Sequence, residues 1–163
     1  MTSNSRGTHR GYQLARGGSW GSATVELAIV APILVMLLLG TIEVGSLVKD
    51  TLVLNSACRE AARATCLGAT QARAVLVAQA AAPTLQIQAV SLTRSFRTPL
   101  YGVWGDWAPL IDDANVNLAP VGSQVRVTLV YPHNLIAGPM FAGVITSSGN
   151  TVRLEGSLVM LRE

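Results

Sequence analysis

Charge, histidine and cysteine are all scarce in this chain: charged residues make up 13% of 163, and there are two histidines and two cysteines. His9 lies in a basic N-terminal stretch, which leaves His133 alone in the body, and one histidine cannot build a His-based metal site. No H-E-x-x-H, P-loop or dinucleotide fingerprint occurs. Gly17 to Gly21 spells G-x-S-x-G around Ser19, but no strand precedes it, as a nucleophile elbow requires. Asp112 and Asp113 near Asn115 fail the EF-hand spacing and read as a solvated turn. No catalytic residues, metal or cofactor are therefore expected. Cys58 and Cys66 fall in a helical pattern, where eight residues separate them by about 12 Å, beyond the roughly 7 Å a disulfide tolerates. They read as buried free thiols, with bridging between subunits as the alternative.

What the chain has instead is a long apolar run. Leu27 to Val48 is 22 residues with Glu43 as its one charge. At about 1.5 Å per residue it spans a hydrocarbon core of roughly 30 Å, whereas a secretory h-region covers roughly 7–15 residues. Arg6, Arg10 and Arg16 precede the run with no acid among residues 1–21, so the flanking-charge rule puts the N-terminus in the cytoplasm and the C-terminal body outside. These three account for the net charge of +3, because the other nine basic residues face nine acids. A pI of 9.3 is thus an orientation signal, and nucleic acid is not an expected partner.

Immediately before the run, Gly21 is followed after four residues by Glu26. A carboxylate at or near lipid is costly and calls for a cation, most naturally one from another chain. Beyond Val48 the helical pattern continues and turns polar as far as Gly68, a helix stop signal. Ser22 to Leu67 is 46 residues, about 69 Å of helix, so part of it must protrude from the bilayer. Ala57, Ala61 and Ala64 form a small-residue stripe suited to close packing, either on a neighbouring helix or on the chain's own domain. Glu43 reads either as partnered across a subunit or helix-to-domain interface or as exposed at the outer membrane boundary. Pro32 removes one helical hydrogen bond and reads either as a hinge or as a kink with no mechanical role.

Glu26 through Pro32, then Leu38 to Gly45 with Glu43, then Ala57-Cys-Arg-Glu-Ala-Ala-Arg63 and a closing Gly68, resemble the N-terminal signature of TadE-like proteins. These are minor pilins, or pseudopilins, of tight-adherence (Flp) pilus systems, and the resemblance covers about residues 17–68. It implies cleavage after Gly21 by a prepilin peptidase, which would give Ser22 a new α-ammonium and make Glu26 the fifth mature residue. It further implies other pilins and minor pilins and an inner-membrane pilus assembly platform as partners, beside the lipid bilayer. The expected localisation is the bacterial inner membrane with a periplasmic C-terminal domain, with incorporation into an extracellular pilus open. An uncleaved, membrane-anchored binding module is the alternative; a membrane-tethered enzyme would need a catalytic set that the residues do not provide.

The expected organisation is a cleaved leader at 1–21, a transmembrane and protruding assembly helix at 22–68, and one small α+β domain at 69–163. Thr70 is placed to cap a second helix with Ala72, Val75, Leu76 and Gln79 on one face, ended by Pro83. Strands are expected at 85–88, at Val125 to Tyr131 and at Val152 to Leu161, with Ser147 to Asn150 as the turn before the last. A small antiparallel sheet packed on helical surface follows. Residues 94–120 resist periodic reading because prolines and glycines break them. Their Tyr101, Trp104 and Trp107 either fold back as a lid on the sheet or form a docking surface.

Overall fold

The computed structural model describes residues 19–85, 91–135 and 151–163, with side chains from Gly21 onward. The expected leader arginines, residues 86–88 of the first expected strand and the 147–150 turn lie outside these residues. Helix α1 runs over Ser19–Cys66, 48 residues, and continues through Pro32. It stops in a Schellman motif. Gly68 takes φ +91°, its N–H donates to the Thr65 carbonyl at 3.0 Å, and the Ala69 N–H reaches the Ala64 carbonyl at 3.0 Å. Helix α2, Gln71–Ala81, follows at once, with the Thr70 hydroxyl accepting from the Arg73 N–H at 3.4 Å. Its buried stripe is Ala74, Val75 and Ala78, while Leu76 is exposed, so the expected face is rotated by part of a turn.

The chain forms two compact units, Met1–Leu38 and Leu39–Glu163. In the first, the described part of α1 turns its side chains outward almost throughout. The second contains the remainder of α1, α2 and all the strands. Its main sheet is antiparallel in the order β4-β1-β7-β8, where β1 is Leu92–Arg97, β4 Ala108–Pro109, β7 Gln124–Asn134 and β8 Thr151–Leu161. Two small hairpins, β2 (Pro99–Leu100) with β3 (Val103–Trp104) and β5 (Asp112–Asp113) with β6 (Val116–Asn117), occupy the rest of the irregular region. Tyr101 and Gly102 turn the first hairpin with φ of 51° and 80°, the pair of positive values that a two-residue type I′ connection requires.

Strands β7 and β8 follow from alternation. Val125, Val127 and Leu129 are fully buried, and Leu154, Leu158 and Met160 pack against the same core. On the helix, Leu54, Ala57, Cys58, Ala61, Ala62 and Thr65 meet them along one face. Where β8 crosses α1 it carries Gly156. A Cβ there would lie 3.3 Å from Asn55 Oδ1 and 3.5 Å from Leu54 Cγ, so strand and helix pass closely at this glycine.

Strand β1 hides from periodic reading because the middle residue of its inward face is Arg94. Leu92 and Arg94 are buried and Phe96 half-buried, an alternation interrupted by a charge. The guanidinium is satisfied on three sides: Nε donates to Gln71 Oε1 (2.6 Å), Nη1 to the Ala69 carbonyl (2.9 Å) and Nη2 to Asp112 Oδ1 (2.7 Å). Asp112 also accepts from the Gln71 N–H at 2.6 Å, so in place of the expected solvated turn it ion-pairs with Arg94 of β1 and hydrogen-bonds the start of α2. Asn117 completes this lock. Its amide donates to the carbonyls of Thr65 (2.7 Å) and Ala69 (2.9 Å), and Arg162 donates to its Oδ1. Among the described residues no buried side-chain nitrogen or oxygen lacks a hydrogen-bond partner.

Candidate functional site

The first region of interest is the start of α1. An 18-residue window of this helix has a mean hydropathy of 2.5 with no part buried, so by length and composition it can cross a membrane. Glu26 is exposed on it, one turn from Ser22, whose hydroxyl donates to Glu26 Oε1 at 3.3 Å. Gly21 is helical, and a Cβ there would meet nothing within 4 Å. Packing among the described residues therefore does not require glycine, although glycine weakens a helix by roughly 0.5–1 kcal/mol relative to alanine. Pro32 is exposed within the helix.

The second region lies where α1 meets the end of β7. Glu43 and Asp50, seven residues or two turns apart, share one helix face and are both buried, at 3% and 7% exposure. His133, 4% exposed, enters between them from β7: Nδ1 is 2.8 Å from Asp50 Oδ2 and Nε2 is 3.4 Å from Glu43 Oε1. A ring nitrogen donates only when it carries a hydrogen, so donation to both carboxylates at once requires the doubly protonated ring. Lys49 Nζ lies 3.7 Å from Asp50 Oδ1 and brings a cation to the cluster. Both imidazole nitrogens face protein oxygens, and no group of three or more His, Cys, Asp or Glu among the described residues is arranged to hold a metal.

Sequence spacing brings Glu43 and Asp50 onto one face, but nothing in it identifies His133, 90 residues away, as their partner. Ala57 and Ala61 are fully buried against the chain's own sheet, and Ala64 is half-buried. Both cysteines are free. The Cys58 thiol donates to the Val127 carbonyl at 3.3 Å, and burial pushes its pKa up against the opposing effect of backbone hydrogen bonds. Beside it, a groove of about 410 Å³ opens between Leu52, Asn55, Ser56 and Arg59 of α1 and Ser157 and Leu158 of β8.

The aromatic segment divides. Trp107 is half-buried under the guanidiniums of Arg97 (4.6 Å) and Arg126 (3.8 Å), which pins it to the sheet. Arg97 also lies 5.4 Å from the Trp104 ring, which keeps 37% exposure, whereas Tyr101 at the hairpin tip is entirely exposed.

Gly21, Glu26 and the buried Glu43 lie on one helix. Residues 21–63 match the TadE-like protein family. The TadE-like segment begins at Gly21, takes in both glutamates and ends within the buried part of α1. The match covers 43 of the 163 residues, and the apolar helix within it fits membrane anchoring. No curated protein and no solved structure matches the chain.

Proposed function

We propose that this protein is a minor pilin or pseudopilin, cleaved after Gly21 by a prepilin peptidase, that takes part in assembling or initiating a tight-adherence pilus and so supports surface attachment. The observation that carries this reading is the TadE-like match starting at Gly21, at the head of an exposed, membrane-length helix. Its role is structural rather than enzymatic. Cleavage would leave Ser22 with an α-ammonium one helical turn from Glu26. In the membrane, Glu26 of one subunit neutralises that ammonium on a neighbouring pilin, and the helix N-terminus adds its own preference for negative charge. Partners are the peptidase, other pilins and minor pilins, and the inner-membrane assembly platform. The domain that follows the helix is periplasmic, in keeping with the basic N-terminus.

Glu26→Leu tests the mechanism. Insertion and processing are expected to survive, because the apolar run lengthens and its flanking charges stay. Recovery in sheared pili or in crosslinks to the platform is expected to fall sharply, since an unpaired buried charge costs several kcal/mol. Normal recovery of the mature variant in the assembled fraction would remove Glu26 from the mechanism.

A further inference from the structure

The geometry points to a membrane-contact surface on the globular part of the chain: the end of β7 and the start of β8, beside helix residues 43–50, rest on the outer lipid headgroup layer. This rests on the reading of α1 as a membrane span. The uncharged part of the apolar run ends at Ile42, and the next residue, Glu43, is bound by His133. Asp50 takes the other ring nitrogen, so β7 ends alongside residues 43–50. Strand register brings β8 to the same place, with His133 opposite Val152 and Pro132 opposite Arg153.

From Glu43 to Asp50 the helix rises only about 10 Å. Each polar layer of a bilayer is roughly 5–8 Å deep, half the difference between the total and hydrocarbon thicknesses. His133, held between Glu43 and Asp50, stands about midway up that rise, so the strand end it fixes lies at headgroup height. The surface offered there has the chemistry of an interface. Val44 and Val48 are 61% and 53% exposed on the helix, while Lys49 and Arg153 extend long cationic side chains that can lie along apolar surface and hold their charge among lipid phosphates. The opposite end of the sheet, where β7 starts near the Gly122 turn, lies ten residues away, about 34 Å along the strand.

The full chain in phosphatidylcholine nanodiscs, with one lipid population carrying a diazirine in its headgroup and another in its acyl chain, provides the test. After illumination, peptide mapping is expected to find headgroup adducts on residues 44–49 and on 151–153, with none on residues 99–104 or 121–123. Headgroup adducts on 44–49 without any on 151–153 would overturn the contact, as would equal labelling of 99–104. Acyl-chain adducts on residues 27–42 are expected in the same sample. Their absence would overturn the membrane-span reading itself, and the contact with it.

Discussion

Glu43 is the first charge after an uninterrupted apolar run and is already buried against the domain. His133→Leu removes the imidazole from two buried carboxylates. Losing a hydrogen bond to a buried acceptor costs about 1–3 kcal/mol, so this variant is expected to lose stability in thermal unfolding, whereas His133→Gln, which can still hydrogen-bond, should lose less. Equal melting temperatures for His133→Leu and wild type would mean the cluster contributes nothing. Asp112 makes a pH-dependent contribution. Burial alone would push its carboxyl up, but the Gln71 N–H and the Arg94 guanidinium and charge outweigh that and hold its pKa below the ordinary carboxylate value. A depressed native pKa means the stabilisation is complete above the ordinary value and is lost as pH falls through the depressed one. Acid titration of stability should therefore be shallower in Asp112→Asn than in wild type, and identical slopes would contradict the assignment.

At the scale of elements, two glycines mark where α1 ends and where β8 passes close to it. Gly68→Ala forces an alanine into a left-handed conformation at a cost of roughly 1–2 kcal/mol. Gly156→Val acts by crowding: its side chain must enter space bounded by Asn55 and Leu54, and overpacking of this kind costs about 1–3 kcal/mol. Both are expected to lower the midpoint of chemical denaturation, and an unchanged midpoint for Gly156→Val would show that the helix can yield. The same elements show what the sequence made legible. Helix α1 with its Gly68 stop, α2 with its Thr70 cap, β7 and β8 all follow from periodicity, capping and turn residues. Strand β1 does not, because Arg94 occupies an inward position and its compensating partners, Gln71 and Asp112, come from segments with no visible relation to it. The His133 contact escaped for a similar reason, since long-range pairing leaves no local pattern. Cys58 and Cys66 do not pair with each other along the continuous helix.

At the scale of the whole molecule, one continuous helix has two kinds of surface. Its first part carries the membrane-length apolar surface and the exposed Glu26, and its last part supplies one wall of a folded core. Ala57 and Ala61 lie in that core, so the helix surface free to meet a neighbour beyond Glu43 is the opposite side, where Val44, Val48 and Leu52 are exposed. On the proposed function, assembly would depend on the N-terminus, because only a chain that starts at Ser22 offers an α-ammonium beside Glu26. Gly21→Leu is expected to keep the preceding residues attached by obstructing the peptidase's small pocket, and its mass should exceed that of the processed protein by the leader. The decisive measurement is the intact mass and N-terminal residue of the wild-type protein purified from the membranes of cells that build the pilus. A chain beginning at Ser22 is the expected result, and a chain that still carries residues ahead of Ser22 would contradict the pilin reading.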